Sequence, residues 1–441
     1  MRFLMKLSWA GLVACLILTA CSLAITSESI HPPSSANSTT SSLINDAMLS
    51  TPPMMPTRKP DKTISIWGRL ANPGFENDRI KSSLFFAGQA RDGSSRYACS
   101  PSSNLGLYTV HPTDSYHMNW SQNISNRIFV IDQMISAGLN VVSMSSWGED
   151  FLPCEMSWEP SAPMQTSTGA HDELFAAAAG KNLLIIPFIE SRANWAFRDE
   201  FPYTSTGELA PGTQSQVINL INRYLKNPDH PEWAYKWAQV YDRNQTPRYA
   251  VTIIHASSNR LKASDHKAFA AGFDLLSDAV YKATGVRVGF FIDPLPPNSN
   301  APGKFKPSLD KTGPFLSQTN AVLGIQSFIP EIWVSGRPKE LDLIRWKKKY
   351  SQGWINTGIP FLMDISAGYN ASIVFPSSIR YGFSTSWQNA LSGMVKDFGE
   401  DGLVYNSWNG YTEGMAGMPT VEYGDRFFNW LQVSCEAVDV M

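Results

Sequence analysis

The sequence predicts an α/β fold, a single-domain (β/α)8 TIM barrel, and three observations carry the prediction. Short β-rich apolar runs alternate with stretches of helical period along most of the chain. The alternation repeats as eight β-then-α units, and eight parallel strands joined by helical crossovers close a barrel. Several helix-to-strand joints carry a helix stop: Gly138 before Leu139, Gly180 and Asn182 before Leu183, Gly285 before Val286, and Gly358 before Pro360. An open doubly wound sheet is the alternative, but no G-x-G-x-x-G follows the first strand.

The eight predicted strands follow in order. They are Leu84–Gly88, Leu139–Met144, Leu183–Phe188, Tyr249–Ile254, Val286–Phe291, Val322–Gln326, Pro360–Met363 and Leu403–Trp408. Each is a short apolar run of four to six residues. Helical period marks Asn126–Ala137, Asp172–Ala179, Gln216–Leu225, Ala268–Thr284, Lys339–Tyr350 and Ser386–Asp397 between them.

The N-terminus predicts export. Two positive charges, Arg2 and Lys6, precede an apolar run from Leu7 to Leu18 that is too short to span a membrane as a stable helix. Leu18-Thr19-Ala20-Cys21 resembles a bacterial lipobox, which implies a signal peptide over 1–20 and a lipid on Cys21. That places the protein in the cell envelope, at the outer membrane or cell surface. Residues 21–62 are rich in Ser, Thr and Pro and predict a disordered tether with an r.m.s. reach on the order of 35 Å. The barrel domain then occupies 63–441. Of the cysteines left after export, Cys99 and Cys154 flank the second predicted strand in polar loops and are the expected disulfide, which leaves Cys435 free.

Charge and spacing narrow the function classes. Lys and Arg number 36 against 38 Asp and Glu, with no basic tract, so nucleic acid is not an expected partner. No Cys-x-x-Cys or His cluster has metal-ligand spacing, and no cofactor is implied. The sequence does not fix the oligomeric state.

In a barrel of this kind, chemistry stands just past the carboxyl ends of the strands. Those positions hold Gln89 and Arg91; Trp147, Glu149 and Asp150; Glu190, Arg192, Asn194 and Trp195; and His255. They continue with Asp293; Gln326, Glu331 and Trp333; Asp364 and Tyr369; and Trp408, Asn409, Tyr411 and Glu413. Carboxylates, amides and Trp rings recur around one rim. Such a set suits a sugar: rings stack on its faces, amides and carboxylates bond its hydroxyls, and paired carboxyl groups do acid/base work. Trp147, Arg192, His255, Glu331, Trp333, Asp364, Trp408, Asn409 and Tyr411 are therefore candidate substrate contacts, and a carbohydrate is the expected substrate.

The run Ser407-Trp408-Asn409-Gly410-Tyr411-Thr412-Glu413-Gly414 resembles the last-strand motif of a group of barrel glycosidases. In glycoside hydrolase family ninety-nine it reads roughly F-N-E-W-G-E-G, in family seventy-one W-N-D-Y-G-E-S, and in WbsX-type cell-surface proteins W-N-E-W-x-E-G. More weakly, Ile186–Glu190 resembles the H-I-E-P strand of the first group, and Leu323–Phe328 the D-G-x-F-S-W strand of the second. The resemblance implies a glycosidase with two acidic residues, of an uncharacterised branch. Glu413 matches the second acid of the motif, the general acid/base. The first acid falls on Gly410, which has no side chain. Another rim residue then has to serve: Glu190 or Asp293, which directly follow their strands, ahead of Glu331 and Asp364. Two other readings stand beside this one: a non-catalytic glycan-binding surface lipoprotein, and a purely structural envelope lipoprotein.

Overall fold

The computed structural model describes residues 65–86, 108–118, 120, 123–146, 167–190, 211–256, 265–294, 309–334, 338–373 and 378–441. At 118, 145–146, 167–170, 190, 211–213 and 255–256 it describes the backbone alone.

Eight parallel strands form the barrel: β1 (Ile80–Phe85), β2 (Val141–Ser146), β3 (Leu184–Glu190), β5 (Pro247–Ala256), β6 (Val288–Pro294), β7 (Val322–Gln326), β8 (Phe361–Ile365) and β11 (Gly402–Tyr405). Each pairs with its sequence neighbour, and β1 pairs with β11 to close the ring. Three short strands lie outside it. β4 (Gln239–Tyr241) runs antiparallel beside β5, and β9 (Gly368–Asn370) pairs antiparallel with β10 (Arg380–Gly382) in a hairpin that follows β8. The helices are α1 (Ser115–Met118), α2 (Ile124–Ser136), α3 (Ser167–Ala178), α4 (Pro211–Tyr224), α5 (His266–Thr284), α6 (Leu309–Leu316), α7 (Glu340–Asn356), α8 (Thr385–Phe398) and α9 (Arg426–Asp439).

The predicted barrel is thus the observed one, with shifted edges. β1 begins at Ile80 rather than Leu84, because Ser82 and Ser83 are accommodated inside the sheet. The Ser83 hydroxyl donates to the Tyr405 carbonyl at 3.0 Å and that of Ser82 to the Leu403 carbonyl at 3.4 Å, so neither hydroxyl is buried without a partner. β11 stops at Tyr405, short of the expected Trp408, where the chain turns away into the polar run. Helices α6 and α9, after β6 and β11, complete the expected β-then-α alternation. The expected stop at Gly285 is a left-handed residue, φ +72°, that caps α5.

Register fixes which residues look inward. The Tyr405 ring packs outward on Trp430 of α9, so Val404 faces the interior. Val404 pairs with Ser82 and Asp364, Ser82 with Val141, and Gln326 with Leu362 in the same inward row as Asp364. Thr252 pairs with Phe291, and the Thr252 hydroxyl donates across β6 to Gln326 Oε1 at 3.0 Å. The interior carries polar residues at Ser82, Ser143, Thr252, Gln326, Asp293 and Asp364, all buried.

Substituting Thr252→Val removes the donor to Gln326 Oε1, and among the described residues Gln326 Nε2 has no partner either. A loss of about 1–3 kcal/mol is expected in urea unfolding, with an unchanged m-value.

Candidate functional site

The barrel brings its chemistry-bearing residues to the carboxyl ends of the strands. Asp293 closes β6, Asp364 lies near the end of β8, and Glu331 sits on a single 3-10 turn, Pro330–Trp333, just past β7. Glu413 stands in the turn that follows β11. Glu190 is the last residue of β3, opposite Ile254 in register.

Two of these carboxylates are joined by a lysine the sequence analysis did not single out. Lys347, on the inner face of α7, donates through Nζ to Asp364 Oδ2 at 2.6 Å and to Glu331 Oε1. All three side chains are fully buried. Burial alone would lower the Lys347 ammonium pKa, but the Asp364 and Glu331 carboxylates more than offset it and hold it above its ordinary value. Burial raises the Asp364 carboxyl above the usual range. Lys347 opposes that shift, while the nearby Glu331 and Asp293 charges add to it. Among the described residues, Asp364 Oδ1 has no hydrogen-bond partner. Glu331 Oε2 accepts from the Tyr381 hydroxyl of β10 at 3.4 Å.

Glu331 and Asp364, expected as hydroxyl-binding residues, are brought together here as buried partners of Lys347. Lys347 escaped notice because Lys347-Lys348-Lys349 reads as a solvated face, whereas α7 turns only the first of the three inward.

The Glu413 turn is held from several sides. Its carbonyl accepts from the Asn370 N–H of β9 at 2.8 Å, and the N–H groups of Thr109 and Val110 donate to the Tyr411 carbonyl at 2.9 and 3.2 Å. Glu413 Oε1 accepts from the Tyr369 hydroxyl at 3.5 Å, and the side chain is 6 % exposed. Asp293 is 2 % exposed, and its Oδ1 accepts from the Phe328 N–H at 3.1 Å.

The residues around Glu413 belong to the wall of the mouth. Trp408 is fully buried, with its indole N–H donating to His117 Nε2 at 3.1 Å, while His117 Nδ1 lies 3.0 Å from Asp114. Tyr411 packs on Tyr108 with ring centroids 5.0 Å apart and donates to Met418 Sδ. Asn409 satisfies both polar groups of Phe86, accepting from its N–H at 2.8 Å and donating to its carbonyl at 3.0 Å. Trp408, Asn409 and Tyr411, expected as substrate contacts, are buried here and bonded within the chain. Trp333 is half-buried on the 3-10 turn.

Gly410 has a steric reason to be glycine. A Cβ there would lie 2.5 Å from Ser407 Oγ and 3.1 Å from Met415 Cβ. The volume where the motif's first acid would begin is already filled.

Phe86, Phe188 and Phe328 are further mouth residues that the sequence analysis missed. They cluster edge-to-face, Phe86 lying 6.2 Å from Phe188 and 6.0 Å from Phe328. Each lies within or just past a strand run, where an apolar residue reads as core. Trp147, Arg192, Cys21, Cys99 and Cys154 lie outside the described residues, as do the side chains of Glu190 and His255. Cys435 is a free, buried thiol. Among the described residues, no three His, Cys, Asp or Glu side chains are grouped to hold a metal ion, and no helix is long and apolar enough to cross a membrane.

No protein-family model matches the chain, and no curated protein matches it. Among solved structures it is similar to the GH99 endo-α-mannosidase from Bacteroides thetaiotaomicron, at 15 % identity over 81 % of this chain and 96 % of that one, TM-score 0.48. It is also similar to the endo-1,4-β-mannanase from Rhizomucor miehei, at 12 % identity over 76 % and 96 %, TM-score 0.43. The catalytic domain of the major endoglucanase from Xanthomonas campestris pv. campestris is similar at 13 % identity over 83 % and 99 %, TM-score 0.43. Likeness this distant transfers no activity.

Replacing Lys347→Met leaves two buried carboxylates without their cation. A loss of about 3–5 kcal/mol is expected at neutral pH. Without the ammonium, the Asp364 carboxyl is pushed further above its unfolded value. The variant then regains stability as pH falls and Asp364 protonates. Urea melts at pH 7.5 and pH 5 should show a smaller gap to the parent at the lower pH.

Proposed function

We propose that this protein is a glycoside hydrolase that cleaves a glycosidic bond in a polysaccharide or glycan, with Glu413 as its general acid. The observation that carries this reading is the placement of Glu413. A carboxyl group stands past the last barrel strand, where such barrels keep their chemistry, in a turn tied at Tyr411 and Glu413 to two other segments. Protonating a leaving oxygen requires a carboxyl held in one orientation, and this one is held at its backbone and at one oxygen.

The surroundings fit the same chemistry. A phenylalanine cluster and a set of buried carboxyl and amide groups share the upper barrel, matching the apolar faces and hydroxyl edge of a pyranose. The second carboxyl group comes from Asp293 or Glu190. Glu331 and Asp364 are bound to Lys347, and Gly410 has no room for an acid. A separation from Glu413 of about 5–5.5 Å makes the enzyme retaining, and about 6.5–9.5 Å makes it inverting.

The filled space at Gly410 also favours a second reading, a barrel that binds glycans without cleaving them. Hydrolysis screening of the mature protein against α-mannans, α-glucans and host-type glycans separates the two. Products are expected, and Glu413→Gln should remove them while leaving the melting temperature within a few degrees. Asp293→Asn and Glu190→Gln, assayed alongside, identify the partner as the variant that loses turnover by 10²-fold or more. Glycan binding without products from the parent protein supports the non-catalytic reading.

The protein works at the cell envelope, held by lipid on Cys21 through the Ser/Thr/Pro-rich segment. In a bacterial expression host, Cys21→Ser is expected to move the protein from the membrane fraction to the soluble one; retention in the membrane fraction would sink this assignment.

A further inference from the structure

We propose that the β9–β10 hairpin is the positioning device for Glu413, with Tyr369 as its positioning residue. The proposal rests on the reading of Glu413 as the acid.

The hairpin register sets Tyr369 directly opposite Tyr381. On one face of an antiparallel pair, opposite side chains are neighbours, and these two rings stack with centroids 6.1 Å apart and planes 22° from parallel. The stack links two carboxylates. The Tyr381 hydroxyl donates to Glu331 Oε2, and the Tyr369 hydroxyl donates to Glu413 Oε1. Glu331 is itself fixed by Lys347. A run of contacts thus passes from a helix packed against the barrel, through a buried ion cluster and two rings, to the proposed acid. Burial, with the Glu331 and Asp364 charges close by, holds the Tyr381 phenol far above its ordinary pKa and keeps it a neutral donor.

The backbone repeats the connection. The Asn370 N–H, one residue past Tyr369, donates to the Glu413 carbonyl. The Thr109 hydroxyl lies 2.9 Å from the carbonyl oxygens of both Asn370 and Thr412, joining strand β9 to the Glu413 turn. The base of the hairpin admits only glycine at Gly382, where φ is +81° and a Cβ would lie 2.4 Å from Gly368 Cα. That close approach fixes the pitch at which the two tyrosines leave the hairpin.

A glutamate in a turn samples several side-chain rotamers. A donor at one of its oxygens, itself braced by a ring stack, selects one of them. Tyr369 acts through Glu413 and not on substrate, so it is a positioning residue. Among the described residues, the ionisable groups near Glu413 are Tyr369 and Tyr381 on the hairpin, Asp364, Glu331 and Lys347 behind Tyr381, and Tyr108 and Tyr411 in the adjoining wall.

The test is carboxyl ¹³C NMR on the full chain, with glutamate labelled at its side-chain carboxyl and the Glu413 resonance assigned by its absence in Glu413→Gln. Tyr369→Phe keeps the ring stack and removes the donor to Glu413. Its Glu413 titration midpoint is expected to rise by about half a unit to one unit, because a hydrogen bond that favours the ionised form is lost. Tyr381→Phe also keeps the stack but removes the donor to Glu331, and it is expected to leave the Glu413 midpoint where it was. An unmoved midpoint in Tyr369→Phe, or equal shifts in both variants, overturns the proposal. The readout does not depend on turnover. A shift in a protein that hydrolyses nothing keeps the positioning and removes the glycosidase reading. Hydrolysis without a shift does the reverse.

Discussion

One ammonium group, Lys347 Nζ, underlies the carboxyl-rich mouth of this barrel. Two carboxylates cannot both be ionised, buried and adjacent without a cation between them, and Lys347 supplies it to Glu331 and Asp364 at once. The arrangement carries a cost, visible in the upward push on Asp364 and in the unpartnered Asp364 Oδ1. A hydrophobic cluster of equal volume would hold α7 against β8 as well. What the ion cluster adds is a fixed acceptor, Glu331 Oε2, on which Tyr381 rests. Tyr369 stacks in turn on that ring and bonds Glu413.

The barrel itself is built so that these groups converge. Parallel strands point all their carboxyl ends one way, and the inward row of each strand ends in the same layer. Asp293 and Asp364 are the uppermost inward residues of their strands, with Gln326 of β7 set between them. The acid-rich floor follows from closure. A sheet of the same strands left open would separate β1 from β11 and leave the Glu413 turn without its contacts to Phe86 and Thr109, which the crossover after β1 brings alongside.

The barrel was legible because its strands are covered on both faces and therefore spell continuous apolar runs, as in Leu183–Phe188 or Tyr249–Ile254. Legibility failed where polar residues are satisfied internally. Ser82 and Ser83 look like loop until the carbonyls of Leu403 and Tyr405 are seen to accept their hydroxyls. The hairpin strands, Gly368–Asn370 and Arg380–Gly382, are too short for any period to show. At the site, the sequence located the rim but could not divide it into roles. Trp408, Tyr411 and Asn409 have the chemistry to meet a sugar, and in the structure that chemistry bonds and packs them within the wall. Residue type gives capacity, whereas the partner in space decides whether the capacity is spent. Lys347 shows the converse, a residue with no sequence signal that organises two predicted site residues.

Gly410 brings these threads together. The motif it departs from places two acids three residues apart on one turn, so that a single loop sets their spacing. Here Ser407 and Met415 fill the space the first acid would take, and the turn is pinned by contacts from Thr109, Val110 and Asn370 that a bulkier residue would disturb. A carboxyl pair built without that position must span two strands, and its separation is then a property of the whole barrel. Asp293 suits such a role: it ends an inward row of the barrel, and its orientation is fixed by the Phe328 N–H. Spacing set by strand register tolerates less local drift than spacing set within one loop. The proposed bracing of Glu413 by the β9–β10 hairpin follows the same logic: if Glu413 is the acid and its partner lies on another strand, it has to be held in place independently of that partner.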